Sequence, residues 1–232
     1  MVSVVVIEFC VMRCQPLRRA LAFQGIVMKN SGLDLFRDNV EVLIDHISEN
    51  EWIKEIPVLD NVFNMLSLVT SIKDSLFAKK LEQFFVSLNE VSEKDYHKIK
   101  QFSKTAEANE ISEMIINVLD KVTDNKKPEI IANLFIGYIE EYINLSEFKI
   151  ALEIVDKSYA ADLESFLSCG FSIVDFTLSD LMTNKVYNMI FTPLLARTEN
   201  PDKTHVEHYS ISNLGIAFFD AYNHGVTLRK QS

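Results

Sequence analysis

Residues 186–225 read VYNMIFTPLLARTENPDKTHVEHYSISNLGIAFFDAYNHG and have the pattern of a β-hairpin followed by a helix. The apolar run that includes residues 189–191 predicts a first short strand, and residues 206–211 predict the second. The polar stretch 197–204 between them contains Pro201 and therefore predicts the connecting loop. This hairpin near the end of the chain is the feature from which the fold class is inferred.

Helices are predicted on both sides of the hairpin. Residues 177–180 (TLSD) have the spacing of a capping box and predict a helix that continues to about Asn188. After the hairpin, Ser212 or Asn213 is suited to cap a last helix that ends near Gly225.

A helix, a hairpin and a second helix form the second half of a winged helix, so residues 171–232 are predicted to be a winged-helix-like module. In such a module the helix before the hairpin reads DNA, but here it offers only Lys185 as a base. The loop adds Arg197 and Lys203, which acidic neighbours oppose. A DNA reader usually presents several Arg and Lys residues, so the pattern favours a wing used for packing or protein contacts. DNA binding stays as an alternative.

The segment His205-Val206-Glu207-His208 is the grouping most similar to a metal site. On a strand, His205 and His208 point to opposite faces, so they cannot share one ion. We therefore predict a solvated strand with no metal and no cofactor. The two histidines join Lys185, Arg197 and Lys203 as candidate interaction residues.

The rest of the chain predicts a mainly α-helical fold, with a helical bundle over residues 29–170. Apolar residues recur at helical spacing, and short polar loops imply antiparallel packing of successive helices. The predicted helices cover 33–47, 58–76, 78–88, 92–102, 111–122, 128–139 and 144–167.

The helix predicted over residues 58–76 is apolar over most of its circumference, including Val62, Phe63, Leu66 and Val69. Such a helix is either central in a core or in contact with a membrane. No apolar run reaches the roughly 18 residues that a spanning helix needs. The pattern favours a core face, and peripheral membrane contact stays as an alternative.

The net charge of −10 disfavours nucleic acid as a partner, because phosphates are repelled by an acidic surface. Residues 1–28 differ from the rest, with three Arg against one Glu, and are expected to be an N-terminal extension weakly coupled to the fold. Three Cys without a zinc-type spacing suit a reducing cytoplasm.

No sequence motif places a nucleophile beside a base or forms a phosphate-binding glycine loop. Glu140 and Glu141 are expected on a solvated helix face. Cys169 is expected to be half-buried at a helix end, and His224 at a helix C-terminus. An enzyme is therefore the less favoured interpretation, and no catalytic residue is assigned.

Two blocks of the sequence carry a resemblance to known proteins. They are IPVLDNVFNMLSLVTSIKDSLFAKKLEQFF at 56–85 and KVTDNKKPEIIANLFIGYIEEYINLSEFKIALEIVDKSYAADLESF at 121–166. Together they resemble a group of uncharacterised bacterial proteins that are small, helical and finish with a degenerate wing-like end. The resemblance covers roughly residues 33–225 and implies a setting in phages, mobile elements or defence islands. Its motifs are packing and capping residues, so it implies no chemistry.

From these patterns we expect a non-enzymatic cytoplasmic interaction or accessory factor, with a protein partner or a second copy of the chain. The first alternative is a membrane-associated effector that uses the apolar face of residues 58–76. The second is a DNA-binding regulator that uses the C-terminal module.

Overall fold

The structure, a computed structural model, describes residues 72–89, 93–169, 172–198 and 206–229. All of the described residues belong to one unit. Six helices come first along the described chain: α1 (Ile72–Asn89), α2 (Glu93–Phe102), α3 (Glu107–Lys121), α4 (Lys127–Ile139), α5 (Leu145–Lys157) and α6 (Ala160–Cys169).

The C-terminal part contains a small sheet between helices. Its elements are β1 (Phe176–Thr177), α7 (Leu178–Thr183), a 3-10 helix (Tyr187–Phe191), β2 (Leu195–Thr198), β3 (His208–Ile211) and α8 (Asn213–Arg229). The three strands are antiparallel with β3 in the middle, in the order β1-β3-β2. A mainly helical fold with a small C-terminal α+β part was predicted from the sequence and is confirmed.

Helix α4 is the centre of the described core, with α1, α5 and α8 packed around it. Every residue from Lys127 to Gly137 except Glu129 is buried. Aromatic rings continue the core outward from α4: Phe135 lies 6.4 Å from Phe84 and 6.3 Å from Phe148, measured between ring centroids. A helix buried on nearly all sides is expected to be mostly apolar, and α4 is, although Lys127 and Asn133 are buried with its apolar residues.

The contact between α4 and α8 is unusually close. A Cβ atom added at Gly137 on α4 would lie 2.5 Å from the Cβ of Ala221, and one added at Gly225 on α8 would lie 2.7 Å from the Cα of Asn133. Glycine at these two positions lets the two helices approach until their backbones touch. The C-terminal helix is therefore built into the core that α4 organises.

Local capping starts α5 and α7 where the sequence indicates. The Asn144 side chain accepts a hydrogen bond from the Glu147 backbone N–H, and the Glu147 carboxylate accepts one from the Asn144 backbone N–H, with N···O distances of 3.0 and 2.9 Å. Thr177 and Asp180 form the same reciprocal box at the start of α7. Both boxes satisfy backbone groups that a helix N-terminus leaves open.

The helix predicted over residues 144–167 is two helices, so that prediction was wrong. Ser158 is extended, with φ −85° and ψ 156°, and its N–H closes the last turn of α5 on Ile154. The chain then restarts as α6. The change of direction brings Phe166 against Phe218, at 6.2 Å between ring centroids, which a straight continuation would not do.

The helix predicted to reach Asn188 ends at Thr183, and the strand predicted at 189–191 belongs to the 3-10 helix instead. Lys185 adopts a left-handed conformation with φ 60°, and the chain turns there. The turn places Val186 and Met189 in the core, which explains why the apolar residues taken for a strand are not extended.

The last helix extends to Arg229, beyond the end predicted near Gly225. Ser212 caps it, as predicted, because its Oγ accepts a hydrogen bond from the Gly215 backbone at 2.9 Å. His224 is therefore inside α8 and not at a helix C-terminus. Its ring stacks on Tyr142, with centroids 4.3 Å apart.

Candidate functional site

Arg197 lies on the edge strand β2 and forms an ion pair with a residue just before β3. Its guanidinium is 3.0 Å from a carboxylate oxygen of Glu207. The same carboxylate accepts a hydrogen bond of 2.7 Å from the phenol of Tyr209, and this bond raises the pKa of Tyr209. An ion pair of this kind reduces the charge that Arg197 can offer to a phosphate.

His208 on β3 is held by an acidic residue at the other edge of the sheet. Its Nδ1 is 2.7 Å from Oδ1 of Asp175, which has a positive φ of 58°. The His208 ring is mostly covered and its pairing partner on β2 is Thr198. The contact ties β3 to the segment before β1, so it supports the sheet.

Lys185 is exposed at the turn after α7, about where a recognition element would present a base. The acidic side chain nearest to it in sequence, Asp180, is engaged in the capping box of α7, and hydrogen bonds from Thr177 lower the pKa of that carboxyl. Lys203 and His205 lie outside the described residues. So do Val62, Phe63, Leu66 and Val69, on which the membrane alternative depends.

An apolar groove of about 400 Å³ lies between α5, the start of α6 and the 3-10 helix. Tyr159 and Phe191 stand on its two sides with 74% and 78% of their surface exposed. We call this the apolar groove; its apolar lining residues are Ile150, Ile154, Tyr159, Met189, Phe191 and Pro193.

One polar contact joins two elements that line the apolar groove. The Asn188 amide on the 3-10 helix donates to a carboxylate oxygen of Asp162 on α6 at 2.8 Å. On the α5 side, Lys157 pairs with Glu153 one turn earlier. The rim of the groove therefore carries two acidic residues, Glu153 and Asp162, and one basic residue, Lys157. The hydrogen bond between Asn188 and Asp162 fixes the position of the 3-10 helix relative to α6.

A second, more polar cavity of about 560 Å³ lies at the carboxyl end of α4, bordered by α2 and the start of α3. We call it the polar cavity; its lining includes Lys98, Phe102, Glu107, Tyr138, Glu140 and Glu141. Lys98 forms an ion pair with Glu140, and the Tyr138 phenol donates to Glu107 at 3.0 Å. Burial, followed by this hydrogen bond, raises the pKa of Tyr138 to about 12.

Glu140 was expected on a solvated helix face, and the structure corrects this. Only 11% of its side chain is exposed, because α2 covers it with Lys98. Glu141 is exposed as expected, with a left-handed φ of 64° that ends the helix. Cys169 is half-buried at the end of α6, as expected.

Sequence reasoning missed both the apolar groove and the polar cavity. The contacts that build them join residues far apart in the chain: 26 residues for Asp162 and Asn188, and 42 for Lys98 and Glu140. A local signal existed only for the groove, in the apolar Ile190-Phe191 pair next to Pro193, and it was interpreted as a strand.

Within residues 72–89, 93–169, 172–198 and 206–229, no group of three or more His, Cys, Asp or Glu side chains is placed to hold a metal ion. None of the helices in these ranges has the length and apolar character that crossing a membrane requires.

Comparison with known proteins identifies no class and no relative for this chain. It matches no protein-family model, no curated protein and no solved structure.

Proposed function

We propose that the protein is a non-enzymatic interaction factor that binds a partner protein through the apolar groove. The observation that carries the proposal is the pair of aromatic side chains, Tyr159 and Phe191, that face solvent on the two sides of a groove of about 400 Å³. Large aromatic side chains around an apolar depression are typical of the anchoring points of protein interfaces.

The shape of the groove supports one anchoring side chain rather than a flat contact. Its floor includes Met189, which is buried, and Ile154 from α5. The hydrogen bond between Asn188 and Asp162 links the 3-10 helix to α6 before binding, so little ordering is left to oppose association. A large aliphatic or aromatic side chain of the partner fits such a depression.

The charge around the groove indicates the character of the partner. Glu153 and Asp162 outnumber Lys157 on the rim, and the whole chain has a net charge of −10. Complementary charge speeds association and selects among partners. We infer a basic partner segment that carries one large apolar residue.

The test is site-specific crosslinking followed by a binding measurement. A photoreactive phenylalanine analogue at position 191 is expected to crosslink a protein in the native host, and the same analogue at Val86, exposed on α1, is the matched control. Affinity for the purified crosslinked protein is then measured by calorimetry. Phe191→Asp is expected to weaken binding by roughly tenfold to a hundredfold, as for a central interface residue, and Val86→Asp is expected to leave it unchanged.

Equal affinity of the Phe191→Asp variant and the unchanged protein would contradict this function. A crosslink to nucleic acid instead of protein would contradict it as well, and saturable turnover of a substrate would remove the non-enzymatic part.

A DNA-binding regulator is the second candidate, and one observation favours it. The order of elements from α6 to α8 supports a winged-helix-like arrangement. It runs helix, strand, helix, turn, hairpin and helix, and the order of the strands in the sheet is β1-β3-β2. Against it, Arg197 is paired with Glu207 and His208 with Asp175. Of the candidate bases in the described part of the module, Lys185 alone has no carboxylate within ion-pair distance.

A further inference from the structure

The apolar groove follows one face of helix α5. Ile150 and Ile154 line it one turn apart, and Ser158 lines it one turn further on. At a rise of about 1.5 Å per residue this wall is about 12 Å long, or roughly two helical turns. Tyr159 comes next in the chain, while Ile150, at the far end of the wall, has 38% of its surface exposed. A ligand that lies along α5 can therefore contact apolar surface at both ends of the groove.

The described backbone that borders the groove offers no free edge to an extended ligand. Of the described lining residues, none belongs to a strand. The N–H group of Ser158 already donates to the Ile154 carbonyl at 2.9 Å. On the opposite wall, the N–H groups of Met189 and Thr192 donate to carbonyls three residues earlier, both at 3.0 Å. An extended segment would therefore lose water from its own backbone without gaining hydrogen bonds in return.

A helical ligand avoids this cost, because its backbone groups are hydrogen-bonded within the helix itself. Its apolar side chains recur every three or four residues, so they form a stripe that can lie along the wall formed by α5. With a large side chain between Tyr159 and Phe191, a second apolar residue of the same stripe reaches Ile150 about two turns away.

Charge at the rim of the groove favours a basic helix. Glu153 is on α5 beside this wall, and 70% of its side chain is exposed. Its Oε2 pairs with Lys157 at 3.4 Å, and an exposed ion pair contributes little to stability. A carboxylate accepts more than one donor, so a lysine or arginine of the partner can bind Glu153 without displacing Lys157.

We propose, on the basis of the protein-binding function inferred for the groove, that the partner enters it as a basic amphipathic helix. The helix carries two large apolar residues about two turns apart on one stripe. A lysine or arginine beside the stripe pairs with Glu153. The conformation and the residue pattern of the partner segment follow from the helical walls of the groove and from its acidic rim.

The test is selection of linear random peptides of about 16 residues, displayed on phage, against the full chain; this length allows about four helical turns. Peptides that bind the unchanged protein but not Phe191→Asp are groove ligands. We expect them to share the apolar spacing and at least one lysine or arginine. Synthetic copies are expected to gain helical circular dichroism on binding.

A proline substitution in the selected peptide tests the helix directly. Placed in the middle of the peptide and outside the apolar stripe, proline is expected to weaken binding roughly tenfold or more, because it breaks the helix. Alanine at the same place is the matched control and is expected to leave the affinity unchanged.

A charge reversal on the protein tests the contact with Glu153. Glu153→Lys is expected to weaken binding of the selected peptides roughly tenfold. Glu113→Lys makes the same change of charge at an exposed position of α3, away from the groove, and is expected to have little effect. Equal effects of the two variants would overturn the proposed charge contact.

The helical proposal can fail while the groove function stands. Groove ligands that are rich in proline, that bind in extended form or that tolerate the proline substitution would overturn it, and so would a selection that yields no peptide dependent on Phe191. Failure of the groove function itself is seen separately, as equal affinity of Phe191→Asp and the unchanged protein for the crosslinked partner.

Discussion

Gly137 on α4 lies directly against Ala221 on α8, so closely that a Cβ added to Gly137 would be 2.5 Å from the Ala221 Cβ and 2.6 Å from its Cα. Real carbon atoms do not approach to this distance, so any side chain here forces the helices apart. The contact connects the C-terminal helix to the central helix of the bundle.

Gly137→Ala is therefore expected to destabilise the protein, although alanine is the better helix former. The methyl group clashes with backbone atoms that cannot rotate away, and overpacking of this kind costs about 1–3 kcal/mol. Urea unfolding followed by circular dichroism measures the change. Ser168→Ala, at an exposed position of α6, is the control and is expected to change little. An unchanged or higher midpoint for Gly137→Ala would show that the helices are not in contact here.

Lys80 is a buried base that closes the C-terminal end of another helix. Its ammonium donates to the carbonyl oxygens of Asp120 at 2.9 Å and Val122 at 2.8 Å, where α3 ends. Lys80→Met keeps most of the stem but leaves these carbonyls without the donor, so we expect a loss of about 1–3 kcal/mol. The free energy of unfolding in urea is the measurement.

The neighbouring Lys79 provides the matched control for this prediction, because it is on the same helix but exposed. Lys79→Met is expected to change the free energy of unfolding by less than about 0.5 kcal/mol. Equal effects of the two substitutions would mean that the Lys80 contacts contribute nothing.

Elements whose signals are local could be predicted from the sequence. The capping boxes at Asn144 and Thr177 each join residues three apart, so the spacing alone identifies them. The apolar spacing of α3 and α4 is equally local. These features predicted the starts of α4, α5 and α7 to within one residue, whereas α3 begins four residues before the predicted start.

Turns that depend on distant packing could not be predicted. Apolar residues keep helical spacing across Ser158, so the sequence pattern does not show the turn that precedes the packing of Phe166 against Phe218. The same is true of Lys185, where the turn places Met189 in the core. The polar cavity could not be predicted either, because its lining residues are far apart in the sequence. Tyr138 and Glu107 are 31 residues apart, and neither is part of a motif.

Binding to duplex DNA tests the second candidate function. At physiological ionic strength we expect no measurable binding, because the acidic chain repels phosphates and Arg197 is already paired with Glu207. Fluorescence anisotropy of a labelled duplex, repeated over a range of salt concentrations, is the measurement. Salt-dependent binding that disappears in Lys185→Glu but persists in Lys79→Glu would favour the DNA-binding regulator instead.

Tyr138 gives a pH dependence whose sign follows from its raised pKa. The ordinary value is 10.0 and the folded value is about 12, so the folded protein holds a proton that the unfolded chain releases. The stabilisation is complete below about pH 10 and is lost as the pH rises through 12. We expect the free energy of unfolding to fall more steeply over this interval than in Tyr138→Phe. Nuclear magnetic resonance of isotope-labelled tyrosine rings follows the titration directly. An ordinary titration of Tyr138, or identical slopes for the two proteins, would contradict the burial of this phenol together with its hydrogen bond to Glu107.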